Sequence, residues 1–224
     1  MNVLIVHAHP EPQSFCTAMM KRMQNRFEEQ GHAVTVSDLY AKQFNPVASA
    51  ADFAERSNPD YLVYALEQRH AQKTNTLPAD IATELELLKQ CDLLILNFPL
   101  YWFSVPAILK GWIDRVFLSG VVYGGRNFYD RGLMKGKKAW LTFTLGGREH
   151  MFGDHAVHGD LNTMLRPVLR GSLGYAGFDV LEPFAAYHVP YITQEARVDM
   201  LEQLDRAVDT LASRALVSYP SLNN

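Results

Sequence analysis

The sequence predicts a doubly wound α/β domain built on a parallel sheet. Two observations support this fold class: short aliphatic runs alternate with amphipathic helical patterns along the chain, and the run Leu93–Leu96 is apolar at every position. A strand that is apolar on both faces is typical of a parallel sheet covered by helices on both sides. No repeat, low-complexity tract or break in composition divides the chain, so we expect one domain over residues 1–224.

The first elements follow in chain order. Asn2–His7 is an aliphatic strand. The next helix ends near Gly31, and its apolar face is formed by residues at helical spacing: Phe15, Cys16, Met19, Met20, Met23 and Phe27. The alternation from His32 to Leu39 predicts a second strand. An irregular stretch then runs to Asn75 with a short helix near Ala50–Arg56, and such long stretches are usually functional or cover another part of the domain.

The second half continues the alternation. A helix from Pro78 to Cys91 precedes the strand Leu93–Leu96. The later elements are a helix Val105–Phe117, a strand Ala139–Thr144, a helix from about Asp160 to Tyr175 interrupted at Pro167, a strand Phe178–Leu181, a helix from about Gln194 to Leu216, and a tail Tyr219–Asn224. The helix 105–117 is apolar over more than half of its circumference, which is typical of packing on two surfaces, commonly the sheet and a symmetric dimer partner.

Composition restricts the function. The formal net charge of -3 argues against a nucleic-acid partner, which normally requires an excess of Lys and Arg. The start MNVLIVHAHP has no basic region before its apolar run, so it is a strand rather than a signal peptide. No apolar run approaches the roughly 18 residues of a membrane span. With Cys16 and Cys91 as free thiols, we expect a cytoplasmic protein that does not insert into membranes.

The loop after the first strand, HAHPEPQSF, contains no glycine, which disfavours the first turn of an NAD-binding Rossmann domain. Ser14 can cap the helix that begins at Phe15, and free N–H groups there can bind a phosphate. From this stretch alone, a plain helix cap is the favoured interpretation of Ser14. His7 and His9 can be ordinary loop histidines, so the segment alone leaves its role open.

The third strand ends in an aromatic and proline cluster, NFPLYWFSVP. Pro99 and Pro106 restrict the backbone, while Trp102 and Phe103 present flat rings where ligands bind in such sheets. A planar cofactor stacked on these rings is one interpretation. A hydrophobic lid or a protein interface is the other, and composition does not separate them.

The loop after the fourth strand, TLGGREHMFGDHAVHGD, combines glycines with histidines. Gly146 and Gly147 allow the backbone to approach a flat ligand and to direct N–H groups at it. The histidines at 150, 155 and 158 match no compact zinc motif, so acid/base chemistry or simple exposure is favoured over metal binding. The chain contains no GxSxG, P-loop or HExxH motif.

Taken together, these segments resemble the NAD(P)H:quinone oxidoreductase family of the DT-diaphorase type. The matching stretches, in family order, are HAHPEPQSF, SDLYAKQFNPVAS, NFPLYWFSVPAILKGWIDRVF, YGGRNFYDRG, TLGGREHMFGDHAVHGDLN, GFDVLEP and EARVDMLE. The resemblance implies a flavodoxin-like fold with a five-stranded parallel sheet, and bound FAD in preference to FMN. It also implies a homodimer with active sites at the interface and ping-pong reduction of quinones by NADH or NADPH.

The resemblance assigns site residues by position. The cofactor's diphosphate and adenosine match His9, Ser14, Phe15 and Cys16, with Arg197 and Leu201 toward the adenine. The flavin platform matches Pro99, Leu100, Tyr101, Trp102 and Phe103, and the flavin edge matches Thr144, Leu145, Gly146 and Gly147. The substrate pocket matches Tyr123, Phe128, Phe152 and Phe178, three of them (Tyr123, Phe128 and Phe178) contributed by the partner subunit. No metal is implied.

Three positions depart from the animal enzymes. Their catalytic tyrosine is Phe152 here, which cannot donate a proton, so His158 is expected to act with water or another donor, beside Gly146 and Gly147. Gly125 replaces a second pocket tyrosine, and Cys16 replaces an asparagine. Flavin-binding regulatory subunits of potassium efflux systems share the WxxxPxxLKxWID pattern, so a regulatory role remains an alternative, as does an azo- or nitroreductase.

Overall fold

The computed structural model describes residues 1–222 and contains a five-stranded sheet. The strands are β1 (Asn2–His7), β2 (Ala33–Asp38), β3 (Leu93–Pro99), β4 (Lys138–Thr144) and β5 (Asp179–Ala186). All neighbouring pairs are parallel, and the order is β2-β1-β3-β4-β5. This is the flavodoxin-like order of a doubly wound sheet, so the predicted fold class is confirmed.

Helices cover both faces of the sheet. They are α1 (Phe15–Glu29), α2 (Tyr64–Thr74), α3 (Ala79–Gln90), α4 (Ala107–Val116), α5 (Leu161–Met164), α6 (Arg166–Val168), a π-helix (Leu169–Gly174) and α7 (Gln194–Asp209). The predicted helix from Asp160 to Tyr175 is therefore broken into three short pieces. Pro167 lies in the second piece, where the missing N–H prevents a regular α-helix.

Strand alternation divides the core in two. On β1, Val3 and Ile5 pack with α1 and α7, whereas Leu4 and Val6 pack with α3 and α4. Each of these side chains is at most 2% exposed, and burying an aliphatic side chain of this size stabilises the fold by about 1.5–3 kcal/mol. The odd-numbered positions of β1 and β3 therefore face α1. Side chains at these positions are the ones that lie beneath the loop after β1.

The long segment between β2 and α3 covers α4. A Cβ on Gly111 would lie 2.1 Å from the carbonyl oxygen of Pro46, so this helix and the segment are in direct backbone contact. Asp52 accepts hydrogen bonds from Arg115 at 2.8 Å and from the hydroxyl of Tyr64 at 2.5 Å. Most apolar side chains of α4 are buried within the chain, while Ile108 is half-buried, so this segment accounts for the second surface that the helix contacts and the dimer partner stays a prediction.

Helix α2 was missed by the sequence analysis, which placed an irregular stretch there and a short helix near Ala50–Arg56. Only a 3-10 turn occurs at Ala50–Asp52. The buried face of α2 consists of Glu67, Gln68 and Ala71, and Glu67 accepts N–H groups from residues 57 and 58. Because that face is polar, hydrophobic periodicity cannot reveal the helix.

The chain after α7 adds to the sheet edge. The final helix ends at Asp209 rather than near Leu216. Beyond it, Val217 donates its N–H to the carbonyl of Val180 at 2.8 Å, and the N–H of Glu182 donates to the carbonyl of Ala215 at 2.9 Å. These antiparallel contacts cover the exposed edge of β5, which extends to Ala186 instead of Leu181.

The predicted tail Tyr219–Asn224 is packed over its described part. The guanidinium carbon of Arg170 lies 5.1 Å from the ring centre of Tyr219, and Arg170 donates to the carbonyl of Pro220 at 2.9 Å. Asp130 accepts from the Ser221 hydroxyl at 2.6 Å. The predicted tail therefore has no helix or strand to residue 222 but packs against the domain, and positions 223 and 224 lie outside the described residues.

Candidate active site

A cavity of about 250 Å³ opens where the carboxyl ends of β1, β3 and β4 meet. Three loops line it: the loop after β1 with His9, Ser14, Phe15 and Cys16, the loop after β3 with Pro99, Leu100 and Tyr101, and the loop after β4 with Thr144, Leu145 and Gly146. Ligands bind at this edge of doubly wound sheets because the connections diverge there. The structure thus brings ten of the predicted cofactor residues to one cavity.

A second lobe of about 490 Å³ continues from the first along α7. It includes Arg197 and Leu201, the two predicted residues nearest the adenine. Both lobes share four residues: Ser14, Phe15, Val189 and Pro190. The guanidinium of Arg197 donates to the carbonyl of Val189 at 3.2 Å, which fixes the wall between the lobes. The cavity is therefore an extended groove rather than a single pocket.

The amino end of α1 lies at the junction of the lobes. The Ser14 hydroxyl accepts the N–H of Thr17 at 3.1 Å and caps the helix, as the sequence predicted. Helix α1 begins at Phe15, so the N–H groups of Phe15 and Cys16 have no acceptor within the helix. No acidic side chain lies in the first turn. These free donors and the positive end of the helix dipole fit a phosphate group.

The glycine loop after β4 is held through its carbonyl groups. The N–H of His188 donates to the carbonyl of Gly147 at 2.9 Å, and His188 Nδ1 lies 3.0 Å from the carbonyl of Gly146. The N–H groups of both glycines have no acceptor in residues 1–222. A Cβ on Gly147 would lie 2.9 Å from the ring of Phe152, so the close approach of this ring favours glycine at position 147. The loop can supply two backbone donors to a ligand edge.

The aromatic cluster after β3 forms a tight turn. Tyr101 and Ser104 exchange two backbone hydrogen bonds of 3.0 Å, and the central residues Trp102 and Phe103 have φ of 50° and 58°. Positive φ at both central positions is the pattern of a type I′ turn, which favours Asn and Gly and is strained for large side chains. Trp102 is 97% exposed, and neither Trp102 nor Phe103 lines the cavity within this chain, so the assignment of these two rings to a flavin platform stays a prediction.

His158 lies beside two aromatic rings. Its ring centre is 5.3 Å from that of Phe103 and 5.0 Å from that of Phe152. Its backbone N–H donates to the carbonyl of Met151 at 2.9 Å, while no group in residues 1–222 hydrogen-bonds its ring nitrogens. The histidine is half-buried. The structure therefore brings together the two positions, 152 and 158, that the resemblance paired.

The other predicted substrate residues lie elsewhere. Tyr123 and Phe128 pack on Tyr175, with ring centres 5.7 Å and 5.5 Å apart. Phe178 precedes β5 at the opposite edge of the sheet, about 25 Å away at strand spacing. It is 5% exposed and lines a separate cavity of about 280 Å³. Within this chain these three residues do not join the groove, and their assignment to a partner subunit stays a prediction.

Sequence reasoning missed a buried polar row beneath the groove. His7, Asn97 and Thr142 are register partners on adjacent strands, and each is at most 1% exposed. His7 Nδ1 lies 2.6 Å from Asn97 Oδ1, and His7 Nε2 lies 3.1 Å from Thr17 Oγ1. The sequence carried one signal for this row. The inward-facing positions of β1, β3 and β4 are otherwise aliphatic or aromatic, whereas these three residues are polar.

Cys16 contacts this row and also lines the groove. Its thiol donates to Asn97 Oδ1 at 3.4 Å. Burial raises the pKa of Cys16 to about 12, so the thiol stays protonated and is a poor nucleophile. Cys16 therefore acts as a small hydrogen-bond donor in the wall of the groove.

Among residues 1–222, no helix combines the length and the apolar character needed to cross a membrane. In the same part of the chain, no three His, Cys, Asp or Glu side chains come together as a group able to hold a metal ion. The expectation of a metal-free site stays a prediction.

Comparison with known proteins agrees with the geometry. The family described as having a flavodoxin-like fold matches residues 1–208. The chain is 44% identical over 200 residues to ribosyldihydronicotinamide dehydrogenase (quinone) of Mus musculus, covering 89% of this chain and 87% of that protein. It is 41% identical over 209 residues to NAD(P)H dehydrogenase (quinone) 1 of Rattus norvegicus, covering 93% and 76%.

Solved structures show the same architecture. A protein from Klebsiella pneumoniae described as a candidate quinone reductase superposes with a TM-score of 0.92 at 33% identity, covering 100% of this chain and 90% of that one. The NAD(P)H:quinone oxidoreductase from Methanothermobacter marburgensis superposes with a TM-score of 0.75 at 25% identity, covering 95% and 97%.

Proposed function

The chain belongs to the flavodoxin-like family of NAD(P)H and ribosyldihydronicotinamide quinone dehydrogenases, and on that premise we propose that it is a flavin-dependent quinone reductase. The observation that carries the proposal is the extended groove at the carboxyl edge of the sheet. It combines apolar walls, two free backbone donors after β4 and free donors at the start of α1, which is the set that a flavin with a phosphate requires.

The two lobes of the groove support FAD rather than FMN as the proposed cofactor. The lobe lined by Pro99 and Thr144 would take the flavin ring system, and the helix start at Phe15 lies where the chain of phosphates would pass. The second lobe, with Arg197 and Leu201, would be left without a ligand by FMN. A dinucleotide occupies both lobes, so the proposed cofactor is FAD.

The protein's own residues bind and orient the reactants. A bound flavin supplies the redox chemistry, taking a hydride from a dihydronicotinamide and passing two electrons to a quinone in alternation. The N–H groups of Gly146 and Gly147 would stabilise negative charge along the flavin edge. His158, whose ring packs against Phe103 and Phe152, would hold the proton that the reduced quinone needs.

The electron donor needs a direct comparison. Of the two curated relatives described above, one is named for ribosyldihydronicotinamide and the other for NAD(P)H. We propose NADH or NADPH as donor, and the mouse protein's name makes ribosyldihydronicotinamide a specific second candidate. All three deliver the same hydride, so the chemistry at the groove is unchanged, and the donors differ in the diphosphate and adenosine part, which ribosyldihydronicotinamide lacks.

A second copy of the chain would complete the site. Trp102, 97% exposed on the strained turn beside the groove, is the side chain that a partner would cover. Large exposed aromatic residues are typical of interfaces. A homodimer is proposed on that ground, and sedimentation of the wild-type protein tests it, since a monomer at all concentrations would contradict it.

Steady-state turnover tests the activity. Menadione should be reduced with at least one of NADH, NADPH and ribosyldihydronicotinamide, and the initial rates rank the three donors. Faster reduction of an azo dye than of menadione would replace the quinone reductase proposal with an azoreductase. Flavin binding without turnover of either acceptor would favour a regulatory role.

A further inference from the structure

The buried polar row fixes where His7 carries its protons. Asn97 Nδ2 lies 3.0 Å from Thr142 Oγ1 and 3.4 Å from the Thr142 carbonyl, which can only accept, so Asn97 Oδ1 faces His7. That oxygen requires a hydrogen on His7 Nδ1 in either protonation state. The atom that gains or loses a proton is therefore Nε2, which faces Thr17.

Thr17 links His7 to Ser14 at the start of α1. Thr17 Oγ1 lies 3.1 Å from His7 Nε2, 2.9 Å from Ser14 Oγ and 3.1 Å from the carbonyl oxygen of Glu11. When His7 is neutral, Nε2 accepts the single hydroxyl proton of Thr17. The contact between Thr17 and Ser14 is then a hydrogen bond only if Ser14 donates, so the Ser14 proton points inward.

Protonation of His7 reverses this chain. Nε2–H now donates to Thr17 Oγ1, and the Thr17 proton turns to the carbonyl of Glu11. Because Thr17 Oγ1 now accepts a hydrogen bond from Nε2–H, it no longer depends on the Ser14 proton, and the Ser14 hydroxyl is free to donate to a ligand in the groove while its oxygen still accepts the N–H of Thr17. A donor pointing outward at a helix start is the arrangement that an anion favours.

We propose that His7 is a positioning residue for the cofactor's diphosphate, taking up one proton from solvent at Nε2 as the diphosphate binds and thereby turning the Ser14 hydroxyl toward a phosphate oxygen. The inference rests on the proposed function, because its ligand is FAD. His7 touches no ligand itself. It acts through Thr17 and through the positive charge that it acquires beneath the anion.

The groups around His7 determine whether its pKa is raised or lowered. Burial lowers the pKa of His7, with a smaller lowering from His9, while Asn97 and the carboxylate of Asp38 on β2 raise it. Helix α1 faces it with uncharged groups, Cys16 and Thr17, and β3 with Asn97. The free protein therefore holds His7 neutral near pH 7, and a bound diphosphate favours the protonated form.

Binding of FAD to the apoprotein tests this positioning role. Flavin fluorescence gives Kd between about pH 7.5 and about pH 5.5, where the diphosphate of FAD does not titrate. Uptake of up to one proton makes the wild-type Kd fall by up to tenfold per unit decrease in pH. Riboflavin, which has no phosphate, should show a flat profile.

Two variants separate His7 from histidines outside the groove. His7→Gln should bind FAD with a flat profile, whereas His155→Gln, which replaces an exposed histidine that does not line either lobe, should keep the wild-type slope. A wild-type Kd for FAD independent of pH, or a slope retained in His7→Gln, overturns the inference while leaving flavin binding itself intact. Failure to bind any flavin at every pH overturns the proposed function together with it.

A measurement on the wild type avoids any folding defect of a variant. The ring ¹⁵N shifts of His7 report its protonation with and without FAD. The pKa of His7 should rise when FAD binds and stay unchanged with riboflavin. An unchanged pKa in the FAD complex contradicts the inference.

Discussion

The ring of Phe152 lies 5.0 Å from the ring of His158, tilted by 43°. The same ring closes over Gly147, where a Cβ would lie 2.9 Å from it. Phe152 therefore joins the glycine loop to the histidine by packing alone, since its ring has no hydrogen-bond donor. Three properties of this region can be measured: turnover when His158 is replaced, stability when Gly147 is replaced, and the conformation of the neighbouring turn at Trp102.

Replacing His158 tests its role in proton transfer. His158→Ala should lower kcat for menadione by about 10²-fold or more with flavin content unchanged, because general acid catalysis contributes roughly 10² to 10⁴. His155→Ala removes an exposed histidine of the same loop and serves as the matched control. Full turnover in a flavin-loaded His158→Ala protein would show that the histidine transfers no proton.

A methyl group on Gly147 tests the packing of Phe152. Gly147→Ala should destabilise the apoprotein by about 1–3 kcal/mol in urea unfolding, because the added atom meets the ring at 2.9 Å and has little room to relax. Gly146→Ala is the control, since its Cβ would have an ordinary contact of 3.9 Å with Tyr191. Equal stability of the two variants would contradict the packing account.

The strained turn at Trp102 should lower the stability of the apoprotein while placing the indole where it can contact a dimer partner. Trp102→Asn should stabilise the apoprotein by about 1 kcal/mol, because Asn tolerates positive φ and the exposed indole contributes no core burial. The same variant should sediment as a weaker dimer. A loss of stability in urea unfolding would show that the conformation is not strained.

Histidine burial predicts how the stability of the apoprotein depends on pH. The pKa of His7 is lowered in the folded state from its usual value of about 6.5, so below that pH the unfolded chain binds more protons. Stability should therefore fall as the pH decreases from about 6.5 to about 5. His7→Leu should show a smaller decrease in urea unfolding over this window, and an identical decrease would contradict the assignment.

The sheet and most helices could be predicted from sequence because their signals are local. Leu93–Leu96 is apolar at every position and forms the first half of β3, and the apolar spacing from Phe15 marks α1. Helix α2 escaped because Glu67 and Gln68 occupy its buried face. Edge pairing of Val217 with Val180 depends on long-range contact, which no local pattern contains.

The candidate site also has a part that the sequence could predict and a part that it could not. The residues at the strand ends, such as Ser14, Pro99 and Thr144, reach one cavity because parallel strands end at one edge, and the resemblance assigns these residues to one cofactor. The conformation of Trp102 depends on a turn whose residues are untypical of it. The row from His7 to Thr142 depends on strand register, which the sequence alone does not determine.

Identification of the bound cofactor tests the central claim, an FAD-binding groove with two lobes, most directly. The purified protein is heated, and the released flavin is separated by chromatography beside FAD, FMN and riboflavin standards. We expect the released flavin to be FAD, at about one molecule per chain. Release of FMN alone would mean that the lobe lined by Arg197 and Leu201 does not bind the cofactor, and a colourless protein that binds no added FAD would contradict the account as a whole.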